Sequence, residues 1–206
     1  MFKKVAEFEQ RIAKFYNAPY AVATDCCTHA IELCLRLEPI ECVTCPKNTY
    51  LSIPMTFQKL NLDWFFVDEK WEDYYQIGGT RIIDAAVLWK ENSYIKNSLM
   101  CLSFQFRKHL SLGRGGVILC SNKEEYIWFK KASYDGRYLD QPWAEQNIDQ
   151  LGYHYYMTPE TAQLGLDSID HAISKEPKKW CWKDYPDISE MKVFKNNKSW
   201  VRSNDI

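Results

Sequence analysis

The chain has 206 residues, 46% of them hydrophobic and 15% aromatic, which is ample for the core of one compact domain and marginal for two. Its 26 lysine and arginine residues nearly balance its 27 aspartate and glutamate residues, so the net charge of -1 gives no electrostatic reason to expect nucleic-acid binding. No apolar run is long enough to cross a membrane, and the first residues lack a signal-peptide core, so we expect a cytoplasmic protein without a membrane partner.

The hydrophobic pattern begins with an amphipathic helix over 4–16, in which Val5, Phe8, Ile12 and Phe15 share one face. Strands and helices then alternate along the chain. We predict strands at 20–24, 41–45, 63–67, 81–85, 99–104 and 116–120, and helices at 28–37, 49–60 with a disturbance at Pro54, 123–133, and 159–175 capped by Thr158. Such alternation favours a three-layer α/β/α fold with a mostly parallel sheet, in which ligands collect at the carboxyl ends of the strands.

The connection between the first strand and the next helix is a candidate phosphate site. Residues 20–37 read YAVATDCCTHAIELCLRL, with a tight connection at 25–28 and helical spacing of apolar residues from Ala30 onward. The helix begins near Cys27 and Thr28, where free backbone amides and the positive end of the helix dipole favour an anion. The alternative is an ordinary strand-turn-helix unit, and this segment taken alone favours it.

The segment IIDAAV, residues 82–87, places Asp84 at the carboxyl end of a buried strand. A strand-end aspartate can simply cap a following helix. It can also pair with the protonated ring nitrogen of a pyridoxal cofactor, because this carboxylate keeps the ring an electron sink.

The segment SFQFRKHLSLGRGG, residues 103–116, places Lys108 between an apolar run and a glycine-rich turn. Loss of hydration lowers the pKa of a lysine in such a position, and this prepares its amine to form a Schiff base with a carbonyl. Alone, the pattern is more typical of a solvated surface lysine. Together, Asp84 and Lys108 on nearby strand ends would form the reactive centre of a pyridoxal 5'-phosphate (PLP) enzyme.

The eight cysteines do not predict a metal site. Cys42 and Cys45 form a C-x-x-C pair, but a zinc site would need a second pair at metal spacing, and none is obvious. Apolar surroundings of Cys34, Cys101 and Cys120 are typical of small core residues. We therefore expect free thiols and no bound metal.

Five motifs, in this order, resemble the DegT–StrS family of PLP-dependent sugar aminotransferases. Family segments of the form YAVAVSSGTAAL, VPSFTFVAT, IEDAAQ, SFHPTKNLTTGEGG and LGYNYRMTELQAALGL correspond to YAVATDCCTHAI, CPKNTYLSI, IIDAAV, SFQFRKHLSLGRGG and LGYHYYMTPETAQLGL. The resemblance covers about residues 7–173. It implies a fold like the large domain of type I PLP-dependent transferases.

The resemblance also implies roles for individual residues. Lys108 falls on the Schiff-base lysine, Asp84 on the partner of the ring nitrogen, and Tyr50 on an aromatic residue that stacks against the cofactor ring. The residues implied to contact the phosphate are Cys27, Thr28, Ser103 and, from the partner subunit of a homodimer, His154.

Four positions depart from the family pattern. Cys27 replaces a glycine of the phosphate turn, and Val87 replaces the polar residue three positions after the aspartate. Arg114 replaces a common glutamate between the turn glycines, and Tyr156 replaces an arginine. These changes leave the cofactor chemistry possible and bear mainly on substrate recognition.

Family members are considerably longer, so the resemblance implies a reduced chain. We expect a PLP-binding domain over 1–175 and a short unassigned tail over 176–206, with the small carboxyl-terminal domain largely missing. Between Val67 and Ile83 we expect only a short link, where relatives have an additional strand and helix.

The activity implied by the resemblance is transfer of an amino group from an amino acid such as glutamate to a nucleotide-linked keto-sugar. Two alternatives stay open. Some family members are sugar dehydratases that work without the lysine linkage, and the presence of Lys108 favours the aminotransferase over these. The other alternative is a non-catalytic PLP-binding remnant or a subunit that completes another protein, and the missing small domain favours it.

Overall fold

The computed structural model describes residues 2–195. The helices are α1 Lys3–Tyr16, α2 Cys27–Leu37, α3 Ser52–Lys59, α4 Lys123–Ala132, α5 Pro159–Ile173 and α6 Lys192–Lys195. The strands are β1 Tyr20–Thr24, β2 Cys42–Pro46, β3 Asp63–Val67, β4 Tyr75–Gln76, β5 Ile82–Asp84, β6 Leu99–Ser103 and β7 Gly116–Cys120. The predicted strands at 20–24, 63–67 and 116–120 are confirmed with their bounds, and the other predicted elements are confirmed with shifted ends. Among the described residues, no helix is both long enough and apolar enough to span a membrane.

The central sheet has five strands in the order β1-β7-β6-β5-β4, while β2 and β3 form a separate parallel pair. β5 and β6 are parallel, whereas β7 is antiparallel to β6 and to β1, and β4 is antiparallel to β5. The expected mostly parallel sheet is therefore corrected to a mixed one. The reason lies in the connection from β6 to β7, which contains no helix to carry the chain back across the sheet, so β7 returns beside β6 in the opposite direction.

Helices cover both faces of the sheet, because successive residues of the central strands enter two different cores. Leu99 and Cys101 of β6 pack on the side of α2 and α3, while Met100 and Leu102 pack on the side of α1 and α5. The predicted apolar face of α1 is buried in this second core. The three-layer α/β/α arrangement is thus confirmed.

Of two predictions about the starts of helices, the cap at Thr158 is confirmed and the disturbance at Pro54 is not. Thr158 caps α5 as expected, since its hydroxyl accepts a hydrogen bond from the Thr161 amide at 3.3 Å and Pro159 begins the helix. The expected disturbance at Pro54 is wrong. α3 begins at Ser52, so Pro54 lies in the first turn, where an amide would have no partner within the helix in any case.

The segment after α5 folds back over the domain, and residues 176–188 are named the wall segment here. It is held by backbone bonds from Trp182 to the Trp71 carbonyl and from Ile188 to the Lys47 carbonyl, both at 3.0 Å. Ile188 is buried in the core on the α2 side of the sheet. Of the predicted tail over 176–206, the part from 196 onward lies outside the described residues.

Candidate active site

A cleft of about 900 Å³ lies at the carboxyl ends of β5 and β6. Its walls come from the start of α2, the segment before α3, the glycine-rich turn and the wall segment. Six of the seven residues singled out in the sequence line this cleft, namely Cys27, Thr28, Tyr50, Asp84, Ser103 and Lys108.

Asp84 is the last residue of β5 and is buried at the floor of the cleft. Its carboxylate accepts hydrogen bonds from the Ala86 amide at 3.0 Å and from the Tyr75 hydroxyl at 2.7 Å. The Tyr75 hydroxyl is itself 2.6 Å from Thr49 Oγ1. Burial raises the pKa of Asp84, and the hydrogen bonds and the charge of Lys108 offset only part of this rise.

Lys108 lies in the turn after β6, where its amide donates to the Gln105 carbonyl at 2.8 Å. Its side chain is partly buried in the cleft. Burial lowers the pKa of the Lys108 ammonium, although Asp84 and Cys27 act in the opposite direction. The sequence predicted that this lysine would lose hydration near a strand end. The partial burial of Lys108 agrees with that prediction.

The start of α2 offers backbone donors to the cleft. Cys26 precedes the helix in an extended conformation and provides no side-chain cap, so it does not satisfy the first amides of the helix. The Thr28 hydroxyl donates to Ser52 Oγ at 2.8 Å. A Cβ atom at Gly116 would lie 2.5 Å from the Cys27 nitrogen, so glycine is required there for β7 to approach this turn.

The side chain at position 27 is accommodated without strain. Cys27 is helical and buried, and it is not among the residues with positive φ. The glycine that the family pattern carries at this position is therefore not required by the backbone conformation of this chain.

A charged cluster beside the turn was not anticipated from the sequence. Asp25 binds His29 Nδ1 at 2.6 Å through one carboxylate oxygen and Arg114 at 2.7 Å through the other. Burial disfavours the imidazolium, but hydrogen bonds with Asp25 and Cys26 prevail and raise the pKa of His29 to about 9. Asp25, Cys26 and His29 place donor atoms within 4.8 Å of one another, yet both oxygens of Asp25 are already paired with cationic groups.

Tyr50 and Ser103 border the same space. Tyr50 is 60% exposed, which leaves the face of its ring available to a ligand in the cleft. Ser103 ends β6, next to the strand end that carries Asp84. His154 is the exception, since it lies outside the lining of this chain's cleft and pairs with Asp135 at 3.0 Å.

Sequence reasoning also missed Tyr75, Trp180 and Tyr185 as parts of the cleft. Tyr75 belongs to the two-residue strand β4, which is too short to give a periodic pattern. The other two belong to the wall segment, where scattered aromatics were the only signal.

Residues 1–87 match the family model for the DegT/DnrJ/EryC1/StrS aminotransferase family. This match supports the resemblance over the first three of its five motifs. No curated protein sequence matches the chain.

Solved structures with a similar fold cover more of the chain than the residues matched by the family model. AtS13 from Actinomadura melliaura has 18% identity and a TM-score of 0.72, and the alignment covers 84% of this chain and 61% of that one. The sugar aminotransferase CalS13 from Micromonospora echinospora has 15% identity, a TM-score of 0.70, and coverage of 83% and 61%. Spr1654 from Streptococcus pneumoniae, in its PLP form, has 19% identity, a TM-score of 0.68, and coverage of 83% and 60%. The chain thus spans about three fifths of the length of these proteins, and the likeness to them concerns the fold alone.

Proposed function

We propose that this chain binds PLP in the cleft and transfers an amino group to a sugar. The observation that carries the proposal is that a buried carboxylate, Asp84, and a partly dehydrated amine, Lys108, line one cleft together with the start of α2. The match to an aminotransferase family and the existence of PLP and PMP forms of Spr1654 support it.

The residues present fit the cofactor. Asp84 would hold the ring nitrogen in its protonated state, which is favourable because an ion pair offsets the burial of this carboxylate. The amides at the start of α2, with the hydroxyls of Thr28 and Ser103, would hold the phosphate. Tyr50 would cover one face of the ring. When bound, PLP supplies an electron-accepting ring and an aldehyde carbon that can carry the amino group in transit.

Lys108 would have two tasks in this reaction. Its neutral amine would hold the cofactor by replacing the aldehyde oxygen, which leaves as water, and its lowered pKa increases the fraction of neutral amine. Once an incoming amine has displaced it, Nζ would carry a proton between the two carbon atoms that exchange the amino group. The cleft volume of about 900 Å³ leaves space for a substrate beside the cofactor.

The substrates belong to the same proposal. We infer a nucleotide-linked keto-sugar as the acceptor and an amino acid such as glutamate as the donor, because the chain resembles sugar aminotransferases in its motifs and in its fold. A homodimer would complete the site, since His154 is 70% exposed at its side chain and lies outside its own cleft.

A second candidate function is PLP binding without turnover. The observation behind it is that the chain spans only about three fifths of the length of the matched structures. Incubation of the PLP-loaded chain with glutamate separates the two functions. Loss of the visible absorbance on adding glutamate supports amino transfer, and an unchanged spectrum with every amino donor supports the non-catalytic candidate.

The central assignment is tested by borohydride reduction of the chain with PLP, followed by peptide mass mapping. We expect the reduced cofactor on Lys108 in the wild type and no adduct in Lys108→Arg. Lys96→Arg is the matched control, because Lys96 is an exposed lysine away from the cleft lining and should not change the labelling. An adduct on another lysine, or none at saturating PLP, contradicts the proposal.

A further inference from the structure

The wall segment covers the part of the cleft that contains Lys108. The centre of the Trp180 ring lies 5.8 Å from Lys108 Nζ. Both residues also line a small second cavity beside the main cleft. The family motifs end at about residue 173, so none of them assigns a role to this contact.

The backbone of Trp180 is held by two hydrogen bonds to one residue, Asp73. Its amide donates to Asp73 Oδ1 at 3.0 Å, and its carbonyl accepts from the Asp73 amide at 2.8 Å. Asp73 has a φ of 57°, a left-handed conformation that aspartate adopts more readily than most residues. Next to this clamp, Cys181 forms a bridge with Glu72. The backbone that carries the ring is therefore held by contacts within the chain.

We propose that Trp180 is a positioning residue that shields the Lys108 amine from water and makes the wall segment part of the lysine site. An indole ring cannot replace the water molecules that accept hydrogen bonds from an ammonium group, so the charged form loses more than the neutral amine. Burial is the first cause of the lowered pKa of Lys108. The ring face also attracts a cation, which would act in the opposite direction, so the direction of the shift on removing the ring separates shielding from attraction. The shielding itself does not depend on a cofactor. The reaction of the neutral amine with a carbonyl carbon rests on the proposed function.

Other titratable groups act on Lys108 and must stay the same in every variant that is compared. Asp84 at the end of β5 and Cys27 at the start of α2 favour its charged form. On the wall segment, Lys178 Nζ lies 3.8 Å from the centre of the Trp180 ring and pairs with Asp184 at 2.7 Å. A substitution of Trp180 leaves all four groups in the chain, so the ring is the only part of the site removed.

The experiment measures the pH dependence of acetylation of Lys108 by acetic anhydride in the chain without PLP, with peptide mass spectrometry as the readout. We expect the inflection for Lys108 to lie below that of the exposed Lys96. Trp180→Ala should move the Lys108 inflection upward by roughly one pH unit. Trp180→Phe should restore most of the wild-type value. Trp182→Ala is the matched control, since Trp182 is a neighbouring indole that does not line the cleft.

A second variant guards against a general loss of folding. Asp73→Gly keeps the left-handed backbone and removes the acceptor for the Trp180 amide, so it should move the Lys108 inflection in the same direction while the core stays intact. An unchanged Lys108 inflection in folded Trp180→Ala overturns the inference. A chain that shows the Trp180-dependent shift but gives no visible absorbance with PLP overturns the proposed function and leaves the shielding of Lys108 standing.

Discussion

At the scale of single residues, the hydroxyl of Tyr75 opposes the effect of burial on the charge state of Asp84. Burial raises the pKa of this carboxyl, and the Tyr75 bond at 2.7 Å is the first of the contacts that oppose the rise. A hydrogen bond to a charged group contributes about 1.5–3 kcal/mol, so the bond is large enough to matter for whether Asp84 is ionised when a ring nitrogen approaches. In the family pattern, a polar residue near the cofactor occupies the position of Val87. In this chain Tyr75 reaches Asp84 instead, from the neighbouring strand β4.

Tyr75→Phe should therefore raise the pKa of Asp84 and weaken PLP binding by about tenfold or more. The affinity is measured by titration of PLP against the visible absorbance of the complex. Asp84→Asn should bind more weakly still, because it removes the charge itself. Tyr74→Phe is the control, since Tyr74 is an exposed neighbour in the sequence. Wild-type affinity in Tyr75→Phe would show that the hydroxyl does not support the ionised carboxylate.

At the scale of elements, the junction of β1 and α2 is stabilised by a protonated histidine. His29 bonds to Asp25 at 2.6 Å and stacks on Tyr155 with ring centres 3.6 Å apart. Arg114, from the glycine-rich turn, binds the other oxygen of Asp25. These contacts of Asp25 and His29 link the start of α2 to the loop before α5 and to the turn before β7.

The contribution of His29 to stability should depend on pH. Its pKa is about 9 in the folded chain and about 6.5 in an unfolded one, so the stabilisation is complete below about pH 6.5 and is lost as the pH rises through 9. We expect the difference in Tm between the wild type and His29→Gln to be largest near pH 6 and to shrink as the pH approaches 9.5. Thermal melting over this pH range checks the prediction. A difference that stays constant, or that grows with pH, would mean that the imidazolium is not the stabilising form.

At the scale of the whole molecule, the segment between α4 and α5 presents apolar side chains to solvent. Trp143 is 66% exposed and Leu151 is 76% exposed, and both lie near His154 in the sequence. Aromatic side chains such as Trp143 are enriched in surfaces that a partner covers. A second copy of the chain is the partner we propose, because a two-fold dimer needs only one self-complementary surface.

We expect a homodimer in sedimentation experiments, in which His154 reaches the cleft of the other chain. Mixing Lys108→Arg with His154→Ala chains should then give hybrid dimers that contain one intact site. Such a mixture should bind PLP more tightly than either variant alone. A monodisperse monomer that binds PLP like the mixture would rule out a site shared between chains.

The sequence by itself determined the elements and most of the cleft. Apolar spacing predicted α1, β1, β3 and β7 closely, because burial of one helix face or of whole strands leaves a direct pattern in the residues. Motifs at strand ends predicted that Asp84, Ser103 and Lys108 would meet, because neighbouring strands of an α/β sheet bring their ends to one edge.

Only the tertiary structure decided the direction of β7, the partner of Asp84 and the wall over Lys108. The bonds between Asp73 and Trp180 join residues 107 positions apart, and they involve the backbone of Trp180, which leaves no trace in side-chain spacing. Tyr75 reaches Asp84 from a strand of two residues, which is too short for any period. The direction of β7 depends on how its connection to β6 crosses the sheet, and this is a property of the folded chain rather than of either strand.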